Sequence, residues 1–491
     1  MMKKINIAVI SIFILLMAGS VFAENAPQQN ADIELSEGKW IEMTHRYPIP
    51  AMSGDVLSEP DPEMLAKWWE SLNDEILTQL VEWSLQSNRD LASARSKVTE
   101  ARAALGINKA ALLPWLDNTD YWYNSRTPVE TGGKGKGVDV YKLGIDASWE
   151  IDIFGGRRET VKAGAASLEA QYASLHAAWV SLSAEVALNY LTLRTLQERL
   201  LIAESNLALQ EDTLEMLQSR VDAGLSDHLA LNQSKYTLEQ TKAEIPPIQK
   251  SIEEVKNNLA VLTGRVPGSL DQLLSERKPL PKLDQKMMTG IPANSLRQRP
   301  DIFAAERQLV AQIARKKSAK ADLWPKFYLI GSIGTEALDT GSLFEGPNKV
   351  YSFGPKIVWP IFHAGAIRNN IKVQTARQEQ YLAAYEQTVL KAVAEVRNAL
   401  TAGIEERKRN DALRRGREAA QTALDVANDK YRNGLTDFNN VINAQRALLS
   451  LSEATAISDG QITSDSVMLF KALGGGWAPI SEEYDTSAVN K

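Results

Sequence analysis

Residues 141–158 read YKLGIDASWEIDIFGGRR, and 210 positions later residues 351–368 read YSFGPKIVWPIFHAGAIR. Tyr141, Gly144, Trp149, Gly155 and Arg158 of the first stretch return as Tyr351, Gly354, Trp359, Gly365 and Arg368 of the second. The first nine residues alternate. Tyr141, Leu143, Ile145, Ala147 and Trp149 share one face, and Lys142, Gly144, Asp146 and Ser148 the other, which is the period of a strand. Beyond Gly155 and Gly156 the period changes. At alternating steps of four and three from Leu168 to Val221, fourteen of sixteen positions are apolar. A seam so narrow and so long belongs to coiled-coil packing. At about 1.5 Å per residue, such a helix from 157 to 223 reaches roughly 100 Å.

The repeat extends over most of the chain. Leu85, Asp90 and Pro114 recur 211 residues on as Leu296, Asp301 and Pro325, and Glu185-Val186 recurs as Glu395-Val396. Gly224-Leu225-Ser226-Asp227 returns as Gly434-Leu435-Thr436-Asp437, and Leu262 and Gly264 align with Leu473 and Gly475. Heptads alone match themselves at 210, a multiple of seven, but matched Gly, Pro, Trp and Arg are not heptad residues. The chain is therefore an internal duplication.

Each half reads as helix, hairpin of strands, long helix, tight turn and returning helix. The first repeat spans 62–284, with a hairpin at 116–149, a long helix at 157–223 and a returning helix at 227–264. The second spans 285–476, with the same elements at 326–359, 365–433 and 437–473, and a tail follows at 477–491. Gly224 and Gly434 end the long helices, and Asp227 and Asp437 sit where N-caps for the returning helices belong. Pro246 and Pro247 are expected to break or kink the first returning helix. The second seam, from Leu382 to Tyr431, is interrupted by Gly403, Glu406, Asn410 and Arg417, so less regular packing is expected there.

The chain has 491 residues, 44% hydrophobic and 24% charged, which suits a folded body too long for one core. Lys3 and Lys4, an apolar stretch from Ile5 to about Ala18, and Val21-Phe22-Ala23 read as a signal peptide over 1–23, followed by an extended segment over 24–61. Cleavage leaves 491 − 23 = 468 residues, and loss of two lysines moves the net charge from −6 to −8, which argues against a nucleic-acid partner. No later stretch approaches 18 uninterrupted apolar residues, so a membrane crossing has to be made by strands.

Trp115, Trp122, Trp149, Trp324 and Trp359 sit in or beside those strands, as rings at the headgroup boundary of an outer-membrane barrel do; an aromatic-rich edge of a soluble sandwich is the other reading. One chain supplies only four strands, whereas membrane barrels begin at about eight. Copies must then combine, and two chains giving eight strands or three giving twelve both satisfy the count. The expected class is mainly α with a membrane β-barrel.

WWESLNDEILTQLVEWSLQSNRDLASA (68–94), SWEIDIFGGRR (148–158), IPPIQKSIEEVKNNLAVLTG (245–264), RQRPDIFAAERQLVAQIARKKSAKADLWPKFYLIGSIG (297–334), VWPIFHAGAIRNNI (358–371) and YRNGLTDFNNVINAQRALL (431–449) together resemble the TolC-like outer-membrane efflux factors, most closely the NodT-like branch serving resistance–nodulation–division (RND) pumps. The resemblance implies a homotrimer with one twelve-stranded barrel in outer-membrane lipid and a helical tunnel in the periplasm. It implies that the tips Gly224, Leu225, Ser226, Asp227 and Gly434, Leu435, Thr436, Asp437 face a periplasmic adaptor and an inner-membrane RND pump, and that Asn440 and Asn443 lie at the constriction. Many relatives carry aspartates at those two positions, so an acidic, cation-selecting gate is not expected here. Many NodT-like members are lipoproteins; this chain has no cysteine, so the barrel would be its only membrane attachment.

No active site is legible. His45, His176, His228 and His363 are scattered, without a metal-binding spacing and without thiols. His228 stands beside the first tip, where an adaptor-facing or pH-sensitive role competes with that of an ordinary solvated histidine. The run GGKGKG (132–137) lies in a hairpin loop and lacks the strand–loop–helix setting of a phosphate site. No cofactor, metal or catalysis is expected. The function that follows is a passive duct for small toxic compounds; a duct for an exported protein or peptide, and a pore-free structural coiled coil, are the alternatives.

Overall fold

The computed structural model describes residues 65–126, 128–131, 135–224, 227–281 and 298–477. The expected signal peptide and N-terminal segment, the tail beyond 477, and the tip residues Leu225 and Ser226 lie outside the described residues, as does Leu296 of the repeat.

A short 3-10 turn at Trp68–Leu72 leads into α1 (Glu75–Ser87) and α2 (Arg89–Ala110). Strands β1 (Trp115–Asn118), β2 (Tyr121–Arg126) and β3 (Gly137–Ile151) follow, then α3 (Gly156–Asp222), α4 (His228–Leu262) and the single turn α5 (Asp271–Ser275). The second half contains α6 (Pro300–Ala321), β4 (Lys326–Ala337), β5 (Lys349–Val358), α7 (Ala366–Arg432) and α8 (Phe438–Ala472). Matched elements have equal lengths: 22 residues in α2 and α6, 67 in α3 and α7, and 35 in α4 and α8. The duplication is thus a duplication of geometry.

Helix ends explain that equality. Gly224 and Gly434 adopt φ of 72° and 71°, a left-handed conformation that costs glycine little and stops the helix. Asp227 then accepts from the Ala230 amide at 2.9 Å and Asp437 from the Asn440 amide at 3.3 Å, so each returning helix is capped by an aspartate. At the far ends, Gly264 (φ 69°) and Gly474 (φ 76°) are the matched pair. The offset therefore stays at 210, and the expected alignment of Leu262 and Gly264 with Leu473 and Gly475 is corrected by one residue.

α4 is continuous through Pro246 and Pro247, so of the two expectations, a break or a kink, the break does not occur. Pro246 and Pro247 are exposed, as are Lys242 and Ala243, whose carbonyls lose their amide partners, so those carbonyls are on the solvent side of the helix rather than in the α3 contact.

The helices lie in the order α4, α3, α8, α7, with α1, α2 and α6 also packed on α3. None of the sixteen seam positions of α3 is exposed. In α7 the seam also holds through its polar members: Gly403 and Asn410 are buried, Glu406 is half-buried, and only Arg417 is exposed. Asn410 donates to Asp459 at 2.8 Å, and Ser458 donates to Glu406 at 2.6 Å. The expected irregularity is a change of chemistry, with hydrogen bonds taking the place of apolar contact.

The strands form one antiparallel sheet. β1 and β2 pair with β3 in a common register, interrupted at Thr119, whose amide still donates to Gly144 at 2.8 Å. β3 pairs with β4 from Tyr141–Ala337 to Ile151–Phe327, and β4 pairs with β5. The two hairpins therefore pair side by side into one four-strand antiparallel sheet whose outer edges, β1/β2 and β5, have no strand partner among the described residues.

Candidate functional site

The pairing sorts the sheet into two chemistries. Tyr141, Ile145 and Trp149 lie opposite Ala337, Ile333 and Leu329, and β5 continues that face with Tyr351, Phe353 and Ile357. These last three are 77%, 84% and 62% exposed, so this face presents an uncovered apolar surface. Lys142 opposite Glu336 and Asp146 opposite Ser332 make the other face polar. Such an alternation suits lipid on one side and water on the other.

All five strand tryptophans are exposed. Trp149 and Trp359 each reach back from a strand end, donating to Leu112 O at 2.8 Å and Leu323 O at 3.3 Å. Trp324 stacks on Phe154 with ring centroids 5.3 Å apart. Trp122 lies toward the loop end, opposite Tyr141. Trp115 is opposite Ser148, which places it on the face of Asp146 and not on that of Trp149. It therefore leaves the expected outer belt, because opposed residues of a strand pair share a face and a single step along the strand reverses it.

Where β3 runs into α3, Glu150 pairs with Arg157 at 2.9 Å, and Asp152 accepts from the amides of Arg157 (3.2 Å) and Arg158 (2.8 Å). Asp152 thus caps the long helix, and the acidic pair Glu150 and Asp152 just before Gly155-Gly156 is the signal in the sequence for that role. Phe362 stands at the matching place before α7, which starts without a side-chain cap.

At the opposite end the two tips come together. Leu217, Ala230 and Leu231 of the first hairpin pack with Leu424, Tyr431, Phe438, Val441 and Ile442 of the second. Arg220 lies over the Tyr431 ring at 5.0 Å. Beyond this core Leu435 is 75% exposed, and its amide donates to Lys430 O at 2.8 Å, closing the turn. Thr436 accepts from the Asn440 side chain at 2.7 Å. Asn440 and Asn443, three residues apart, share an exposed face of α8 turned away from Val441 and Ile442. One turn further, Arg446 donates to Tyr236 Oη at 3.0 Å and Thr237 Oγ1 at 3.2 Å, joining α8 to α4. Arg446 and Tyr236 are 210 residues apart, so the repeat itself was the available signal for this contact. His228 is exposed at the first residue of α4.

Among the described residues, no helix is long and apolar enough to cross a membrane, and no cluster of His, Asp and Glu has metal-binding geometry. The features that remain are an amphipathic sheet with open edges and a paired tip about 100 Å of helix away.

Comparison with known proteins accords with that layout. The chain matches the family "Outer membrane efflux protein" over residues 80–265 and 291–475. It is 29% identical to Nodulation protein T of Rhizobium leguminosarum bv. trifolii, covering 89% of this chain and 93% of that one. It is 31% identical to the toluene efflux pump outer membrane protein TtgI of Pseudomonas putida, covering 84% and 88%. Among solved structures, the outer-membrane channel OprN superposes with a TM-score of 0.82 at 32% identity over 88% of this chain and 99% of that one. The protein belongs to the outer membrane efflux protein family and has its TolC-like fold.

Proposed function

We propose that this protein is the outer-membrane duct of a tripartite efflux system and that it works as a homotrimer. The observation that carries this reading is the single sheet with one apolar face and two unpaired edges, continuous with helices of 67 residues. An open edge in hydrocarbon leaves each unpaired backbone group at a cost of several kcal/mol, so sister strands have to close it. Three copies supply twelve strands around a lumen lined by Lys142, Asp146 and Lys356. The duct has no chemistry of its own; a proton-driven pump in the inner membrane supplies the energy.

In this reading the tips, Gly224 to Asp227 and Gly434 to Asp437, meet the periplasmic adaptor and pump, and Leu435 is the apolar contact. Asn440 and Asn443 line the periplasmic constriction. Six amides would form a neutral ring, weakly selective among ions and insensitive to pH. The export signal is removed after Ala23, and the barrel alone holds the protein in the outer membrane. The cargo is small and toxic, which fits the toluene efflux named for the Pseudomonas putida relative.

Deletion of the gene is expected to sensitise cells to solvents and antibiotics, and the purified protein is expected to conduct ions in planar bilayers. Asn443→Asp would place three carboxylates at the narrowest aperture and shift the reversal potential toward cation selectivity. An unchanged potential would remove Asn443 from the passage. Charged substitutions at Leu435 are expected to abolish resistance while leaving the barrel assembled.

A further inference from the structure

Each layer of the protomer ends on the first half at one flank and on the second half at the other. The sheet ends at β1/β2 and at β5, and the helices end at α4 and at α7. Closing the sheet edges between copies therefore brings α7 of one copy beside α4 of the next.

The two helices have a defined relative height. Arg446 bonds Tyr236, its own duplicate position, and Arg220 covers Tyr431, one residue from its duplicate, so both hairpins lie in one axial register. Counting back from the tips puts Ala419 level with Thr241, Arg415 level with Ile245, and Lys408 level with Ile252. On α7, the side opposite Asn410, Ala420 and Leu424 carries exposed Lys408, Ala412, Arg415, Ala419 and Val426. On α4, the side turned away from α3 carries exposed Tyr236, Ala243, Pro247 and Glu254.

At one height these two faces complement each other in an unusual way. Pro246 and Pro247 have no N–H, so the carbonyls of Lys242 and Ala243 lack their helix donors. Arg415, level with Ile245, lies within one turn of these carbonyls along the axis, is exposed, and carries five N–H donors. Two turns higher on α7, exposed Lys408, which pairs with Glu405 at 2.7 Å, comes within two residues of the height of Glu253 and Glu254. The alanines between allow a close approach of the helix axes.

We propose that α7 of one copy docks on α4 of the next along this seam, and that Arg415 donates across it to the carbonyls freed by the proline pair. The occupant is a second copy of this chain, and the inference rests on the trimeric reading above. Pro246 and Pro247 then act as a receptor for a neighbouring arginine, and each copy completes the helix of the next.

The chain has no cysteine, so introduced thiols report without background. Full-length protein carrying Ala419→Cys and Ala243→Cys is purified in detergent, oxidised, and run on a denaturing gel without reductant, while its native mass is measured by light scattering. Covalent dimers and trimers support the seam. A trimeric mass with no covalent species overturns the seam and leaves the trimer standing; a monomeric mass overturns both. Separately, Arg415→Ala is expected to speed trimer dissociation about tenfold, as loss of charged hydrogen bonds does. In a Pro246→Ala, Pro247→Ala background, where the carbonyls regain helix donors, the same change is expected to have less than a threefold effect. Equal effects in the two backgrounds would contradict the bond to the freed carbonyls.

Discussion

At four matched heights α3 carries Leu193, Leu196, Leu200 and Leu207, and α7 carries Gly403, Glu406, Asn410 and Arg417. α3 and α7 have the same length and the same glycine stop, and the helices that return from them have the same aspartate cap. Backbone geometry in this duplication is held by the ends of the elements, and the chemistry of the seam has been free to diverge between them. The first half closes on leucines. The second closes on hydrogen bonds, with Asp459 taken by Asn410 and by Arg414, both at 2.8 Å.

The junctions at the far ends of the returning helices diverge in the same way. Asn88 donates to Leu262 O at 3.0 Å, and at the matching place Arg299 donates to Ala472 O at 2.6 Å. Arg299 also pairs with Asp301 and Glu395, each at 2.8 Å. Burial works against its charge, but the two carboxylates prevail and hold its pKa above the ordinary arginine value. A neutral amide and a paired guanidinium serve the same carbonyl.

Substitutions at matched positions sharpen the contrast. The largest difference is expected at the terminal glycines. A Cβ on Gly264 would lie 2.3 Å from Ser87 O, whereas one on Gly474 meets Arg299 Cγ at 3.1 Å and Arg299 Cα at 3.3 Å, so the overlap is far smaller in the second half. Gly264→Ala should cost about 4 kcal/mol and Gly474→Ala about 1–2, read from thermal unfolding in detergent. Next comes the seam: Leu200→Ala should cost about 3 kcal/mol through the cavity it leaves, against about 1 for Asn410→Ala, which removes one hydrogen bond. Equal costs would mean the two seams do not differ energetically. Arg299→Ala and Asn88→Ala should each cost about 2 kcal/mol, the first by leaving two carboxylates without a partner and the second by removing the α2 cap, where Asn88 accepts from the Asp90 and Leu91 amides, together with the bond to Leu262 O.

The smallest effect is one of pH. Asp465 stands where the first half has Val255, and burial, more than the nearby Glu406, pushes its carboxyl above the usual aspartate range, against the opposing Gln461 bond. Such a group binds its proton more tightly folded than unfolded, so its contribution falls as pH rises from the ordinary value through the raised one. Asp465→Asn should flatten that part of the stability–pH curve, while Val255→Ala should shift the curve without changing its slope.

Much of this was legible in the residues. Gly224, Gly434, Asp227 and Asp437 placed the turns because left-handed glycine and aspartate capping are local effects, and the alternation from Tyr141 to Trp149 placed a strand. What was not legible depended on pairing or on neighbours. The face of Trp115 is set by its register against Ser148, which alternation within one strand does not fix. Continuity of α4 through its prolines depends on which side of the helix they occupy. The bond from Arg446 to Tyr236 needs the two hairpins to be in axial register, and that is a property of the fold.

A sheet with two open edges needs sister chains to close it in lipid. The mass of the full-length protein, solubilised from membranes in detergent and measured by light scattering with the detergent contribution subtracted, should correspond to three copies. A monomer that stays dispersed once detergent is removed would contradict it.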